Sequence, residues 1–183
     1  MFYEYSKPGY LESHKGQEKK LIQYLKDNVD FETIFEFGCG FGRITKLILD
    51  NFSVKKYVAL DLSEHNIQHA KKLCSSHSNV EFITSTINDI GLDEKFDLVL
   101  GVAVLQHNPF DKIQTILEKL TSISRKHVIN LDWYEVDKVS KSDGFTCFIH
   151  DYQKLYKNCG MRQVLISELP EDFQSQKIIH AIK

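Results

Sequence analysis

Short β-branched runs alternate along the chain with longer stretches whose apolar residues recur every three or four positions. The former read as strands, the latter as amphipathic helices. Strands are predicted at Thr33–Phe37, Tyr57–Leu60, Val80–Ile83, Phe96–Val102 and Val128–Leu131. A helix over about 14–28 presents Leu21, Ile22 and Leu25, and one over Arg43–Asn51 presents Ile44, Leu47 and Ile48. Ser63 is placed to cap a third helix with Ile67, Ala70, Leu73 and Cys74 as its buried stripe. Asp111–Ile123 turns Ile113, Ile116, Leu117 and Leu120 inward, and Asp151–Asn158 is a last helix ended by Gly160. Such alternation predicts βαβ units around a parallel sheet. Phe96–Val102, almost unbroken in apolar residues, suits its centre. The tail changes rhythm: Val164–Ile166 and Ile178–Ile182 are separated by too short a loop for a helical crossover and should pair as an antiparallel hairpin.

With 183 residues, 42% of them apolar, the chain is the size of one domain with its own core. Residues 1–30 form an arm and helix, and 31–183 the core. Tyr3, Tyr5 and Tyr10 in the arm suit either a lid or a plain packed segment. A net charge of -2 gives no basic field to attract nucleic acid. The N-terminal residues do not read as a leader, and no apolar run approaches the roughly 20 residues of a membrane span, so no membrane partner is expected. Cys39, Cys74, Cys147 and Cys159 include no C-x-x-C pair, which fits reduced thiols and a cytoplasmic setting.

The chemistry concentrates after the first strand, in Glu36-Phe37-Gly38-Cys39-Gly40-Phe41-Gly42. Glycines in a strand-loop-helix junction permit positive φ and let a ligand approach the backbone. The spacing is G-x-G-x-G, with Arg43 in the place of the third glycine of a dinucleotide fingerprint. Glu36 would repel a pyrophosphate. It suits a cationic ligand, and S-adenosylmethionine carries an ammonium and a sulfonium without phosphate. Asp61, at the end of the second strand, offers two carboxylate oxygens to a ribose cis-diol, and Leu62 an apolar face to an adenine.

On these residues the chain resembles the class I S-adenosylmethionine-dependent methyltransferases. The glycine loop with Glu36 is similar to that family's first motif, and Tyr57–Ser63 to its ribose-binding segment. Phe96–Leu100 followed by Leu105-Gln106-His107 resembles its fourth strand and substrate-side loop, and the hairpin its antiparallel seventh strand. The resemblance implies a Rossmann-like methyltransferase fold, a doubly wound, mostly parallel seven-stranded sheet with a C-terminal antiparallel hairpin. It implies S-adenosylmethionine as cofactor, held by Glu36, Gly38, Cys39, Gly40, Gly42, Asp61, Leu62, Thr86 and Ile87. Many relatives place an acid where Thr86 stands, and Asp89 could substitute for it. The expected acceptor is a small molecule. An NAD-dependent oxidoreductase and a non-catalytic, methyltransferase-like binding subunit are the alternatives.

His107, beyond the fourth strand, suits either a general base or a pocket-shaping loop residue. Trp133 and Tyr134 could wall a substrate pocket or cover the core. His65 and His69 share a helix face but lack a third ligand, so no metal site is expected. Nothing marks Cys39 as a nucleophile, and Lys138–Gly144 reads as a solvated polar loop.

Overall fold

The computed structural model describes residues 10–91, 93–136, 138–141, 147–169 and 175–183, with side chains from His14 onward. Tyr3 and Tyr5 of the arm, read as either a lid or a packed segment, and the side chain of Tyr10 lie outside the described residues. The elements are α1 (Tyr10–Asn28), β1 (Thr33–Phe37), α2 (Arg43–Asn51), β2 (Lys56–Asp61), α3 (Glu64–Leu73), β3 (Val80–Thr84) and β4 (Phe96–Val102). After a 3-10 turn at Leu105–His107 come α4 (Ile113–Ser122), β5 (Ser124–Trp133), β6 (Ser140–Lys141) and β7 (Phe148–Ile149). The chain ends with α5 (Tyr152–Asn158), β8 (Gln163–Glu168) and β9 (Gln176–Ile182).

Seven strands form one sheet in the order β3-β2-β1-β4-β5-β9-β8. The first five run parallel, and β9 is antiparallel to both β5 and β8. Each face buries its own apolar layer. Leu21, Leu25, Ile44, Ile48 and Ile67 from α1–α3 cover one side, and Ile113, Leu117, Leu120, Tyr152 and Tyr156 from α4 and α5 cover the other. This is the doubly wound sheet that the resemblance implied, closed by the hairpin that the pattern of the tail predicted.

Three local expectations need correction. Leu73 is 41% exposed, so the buried stripe of α3 is Ile67 and Ala70, extended by Cys74. Strand β5 begins at Ser124, because His127 is buried against β9 despite its polarity. Ser140 and Lys141 of the supposed polar loop pair antiparallel with Ile149 and Phe148, while 142–146 lie outside the described residues.

Helix α1 is tied to the sheet by a buried polar chain. The Tyr24 hydroxyl meets His180 Nδ1 at 3.0 Å, and His180 Nε2 meets His127 Nδ1 at 2.9 Å. Burial, with His127 beside it, depresses His180 to about 4, which keeps it neutral.

Gly42 sits at φ +90, and a Cβ there would stand 2.9 Å from the Ala70 Cβ and 3.0 Å from its Cα. The glycine therefore lets α2 and α3 pack closely. Gly42→Ala is expected to cost about 1–3 kcal/mol through backbone strain and this contact. Chemical denaturation would read this as a lowered midpoint, whereas an unchanged midpoint would mean that α3 gives way freely.

Candidate active site

The strand order reverses direction between β1 and β4, so the loops leaving their carboxyl ends diverge and open a crevice. A cavity of about 530 Å³ lies there, within the usual range for small-ligand sites. The loops after β1, β2, β3 and β4 line it, with His14 and Gln17 of α1 at one side. Of the residues singled out from the sequence, Glu36, Gly38, Cys39, Gly40, Asp61, Leu62, Thr86, Ile87 and His107 all line this cavity. Gly42 does not: it is a packing glycine.

Gly38, Gly40 and Gly42 all have positive φ. A Cβ at Gly38 would strike Val104 at 2.6 Å, whereas one at Gly40 would meet nothing within 4 Å. At Gly40 the loop thus leaves open space facing the cavity.

Glu36 is 2% exposed. Its Oε2 accepts from Thr45 Oγ1 at 2.5 Å and from the Tyr57 hydroxyl at 2.8 Å. Burial pushes its carboxyl up to about 7, although both hydroxyls and the nearby Arg43 charge pull the other way. The carboxyl is therefore poised near neutrality, ready to ionise fully beside a cation. Burial and the neighbouring acids drive the Cys39 thiol far upward, which makes it an apolar wall rather than a nucleophile.

The Asp61 carboxylate already organises the site. Oδ2 accepts from Gly40 N–H at 2.8 Å, and Oδ1 from Ser63 N–H at 2.9 Å and Asn66 Nδ2 at 3.2 Å. With about four lone-pair positions on a carboxylate, little acceptor capacity remains for a full diol. At the end of β3, the Thr86 hydroxyl donates to Asp89 Oδ2 at 2.5 Å. Thr86 and Asn88 line the cavity and Asp89 does not. Leu62 is 72% exposed and Ile87 is buried, so together they bracket that end of the cavity with apolar surface.

The opposite wall follows β4. Ala103 holds φ 57, an uncommon conformation for a residue with a Cβ. His107 is exposed at the cavity, with Nδ1 3.6 Å from Cys147 Sγ. Behind it Asp132 is wholly buried and accepts from Gln106 N–H at 3.1 Å and Asn130 Nδ2 at 2.8 Å. Burial raises Asp132 to about 6. Gln106 Oε1 accepts from Trp133 N–H at 3.0 Å, so the turn bearing His107 is fastened to the end of β5. Trp133 and Tyr134 do not line the cavity; Tyr134 is buried against Tyr152. The rings of His65 and His69 lie 4.6 Å apart on an exposed helix face. Asn66, Asn88 and the link from Arg43 to α1 escaped the sequence reading, because each depends on contacts between distant segments or on a loop bend.

The fold and the crevice define a Rossmann-like α/β domain with its ligand site at the switch point of the sheet. Residues 34–127 match the family described as methyltransferase domain, and the chain belongs to that family. It is 28% identical over 148 residues to the malonyl-[acyl-carrier protein] O-methyltransferase of Priestia megaterium, covering 80% of this chain and 53% of that protein. With the enzyme of the same name from Acetivibrio thermocellus it shares 34% identity over 94 residues, 49% of this chain and 33% of the other. The chain thus spans about a third to a half of these curated relatives. In fold it is similar to magnesium protoporphyrin IX methyltransferase of Synechocystis PCC 6803 with bound S-adenosylmethionine. That likeness has a TM-score of 0.73 and 16% identity, covering all of this chain and 86% of the other. The N-methyltransferase NodS of Bradyrhizobium japonicum gives a TM-score of 0.74 at 11% identity, with 96% and 99% covered.

Proposed function

We propose that this chain binds S-adenosylmethionine and transfers its methyl group to a carboxylate oxygen of a small or carrier-linked acid. The observation that carries the cofactor reading is the grouping of Glu36, the open cradle at Gly40 and Asp61 in one cavity of a methyltransferase-family domain. Glu36 receives the ammonium. The backbone at Gly38 and Gly40, with Cys39 as an apolar wall, lies along the ligand. Asp61 and Asn66 share the ribose hydroxyls, which fits the limited capacity left on Asp61. Leu62 and Ile87 flank the adenine, with Thr86 and Asn88 at its edge.

When bound, the cofactor supplies a methyl group already activated by a sulfonium. The protein's part is to orient the acceptor and exclude water, and orientation alone can lower a barrier by several kcal/mol. The names of the relatives support a carboxyl acceptor. So does the wall after β4, where Val102, Ala103, Val104, His107, Asn108 and Ile116 line the cavity and none of the six carries a carboxylate. A carboxylate is already deprotonated, so His107 orients the anion instead of accepting a proton.

The test is transfer of labelled methyl from S-adenosylmethionine to malonyl thioesters and free short acids. A methyl ester is the expected product, and labelling confined to amine or hydroxyl acceptors would refute the carboxylate reading. His107→Ala should then raise the acceptor's KM while kcat changes less. A fall in kcat of about 10²–10⁴ would instead mark His107 as a general base for a protic acceptor.

A further inference from the structure

We propose that Arg43 binds the carboxylate at the amino-acid end of the ligand, and that Glu18 and Gln17 of α1 aim it there. This rests on the reading of the ligand as S-adenosylmethionine, whose amino-acid end is a zwitterion. Glu36 answers the ammonium, and a cation is needed for the carboxylate. Among the described residues lining the cavity, His14, Arg43 and His107 can carry positive charge. His107 belongs to the acceptor wall. Of the other two, only the guanidinium keeps its charge at any ordinary pH and matches a carboxylate with a fork of donors.

Arg43 opens α2 directly after the glycine loop, close enough for its charge to act on Glu36. The two ends of the zwitterion would thus meet adjacent, opposite charges. The first turn of α2 contains no acidic residue, so its N–H groups add to the positive potential there.

The guanidinium is held in place from behind. Nη1 donates to Glu18 Oε1 at 2.6 Å and Nη2 to Gln17 Oε1 at 3.2 Å. Gln17 is itself fixed, its Nε2 donating to Gln176 Oε1 of β9 at 2.7 Å. The Arg43 and Glu18 side chains are only 13% and 19% exposed. These contacts use two of the five N–H donors of an arginine. Among the described residues none takes the others, which leaves them to face a ligand in the cavity that Arg43 lines. One guanidinium would thus join α1 to the ligand.

The experiment is calorimetric titration of the 183-residue chain with S-adenosylhomocysteine and with its decarboxylated analogue, which keeps the amine. The readout is the ratio of the two dissociation constants within each variant, which a general loss of folded protein does not change. The wild type should prefer the carboxylate-bearing ligand by about 10–100-fold, the worth of a charge-assisted hydrogen bond. Arg43→Gln should bring the ratio close to one, and Arg43→Lys should restore part of it. Glu18→Gln should lower the ratio by about threefold, because it loosens the aim and keeps the charge. A wild-type ratio near one, or the same ratio in Arg43→Gln, would overturn the proposal. Failure of the wild type to bind either adenosyl ligand would refute the cofactor reading itself, and this inference with it.

Discussion

Glu36→Gln is expected to make the ligand-free protein more stable at pH 8 and to weaken its binding of S-adenosylhomocysteine at the same pH. Glu36 is fully buried, and its carboxyl is raised from 4.5 to about 7, chiefly by desolvation. At about 1.4 kcal/mol per pKa unit, holding it ionised in the fold costs on the order of 3 kcal/mol. The raised value fixes the sign. The advantage of the neutral form is complete below 4.5, where Glu36 is protonated in both folded and unfolded states, and it is lost as pH rises through about 7. A neutral glutamine avoids that loss, and its carbonyl can still accept from Thr45 and Tyr57, the partners of Glu36 Oε2. Denaturation curves for the two proteins should therefore coincide near pH 4 and diverge by about 2–3 kcal/mol at pH 8, with the variant the more stable. Binding moves the opposite way, because the ammonium loses its charged partner; affinity should fall at least about tenfold. Binding should also release protons near pH 7 in the wild type, seen as a dependence of the calorimetric enthalpy on the buffer, and this should vanish in Glu36→Gln. Equal stabilities at every pH would show that Glu36 is solvated in the free protein.

Asp61→Ala is expected to weaken S-adenosylhomocysteine binding by about 10–150-fold, the equivalent of 1.5–3 kcal/mol for a hydrogen bond to a charged acceptor. The structure adds a second effect. Removing the carboxylate takes the acceptor from Gly40 N–H, Ser63 N–H and Asn66 Nδ2 together. The glycine loop and the start of α3 then lose their common tie, and the protein should also be destabilised, by about 1 kcal/mol for each bond that water does not replace. Measuring affinity and denaturation midpoint on the same variant separates the two effects. Unaltered affinity beside a lowered midpoint would reduce Asp61 to a loop-organising residue.

The sequence revealed most where one local rule governs. Strand β1, the glycine loop and α2 follow from β-branched residues, positive-φ glycines and a helical stripe in unbroken succession. Ser63 caps α3 as expected, accepting from Asn66 N–H at 3.3 Å. The terminal hairpin follows from the shortness of its loop. What stayed hidden depends on distant partners. The start of β5 reads as polar, yet His127 is buried because His180 receives it across β9. Leu73 fits the helical period, but Cys74 beside it takes the buried position and leaves Leu73 exposed. Gly42 looks like a ligand-binding glycine and is spent on Ala70. Thr86 stands where the resemblance implies an adenine contact, and the bend of its loop delivers its hydroxyl to Asp89. The bond from Arg43 to Glu18 spans 25 positions, and no spacing rule points to it.

The grouping of Glu36, Gly40 and Asp61 in one crevice suits an adenosyl ligand bearing cationic groups and no phosphate. Calorimetric titration of the same protein with S-adenosylhomocysteine and with NAD tests it most directly. Binding of S-adenosylhomocysteine, with no comparable heat from NAD, is the predicted result. Tight binding of NAD with none of S-adenosylhomocysteine would contradict it, and would mean that Glu36 tolerates a pyrophosphate beside it.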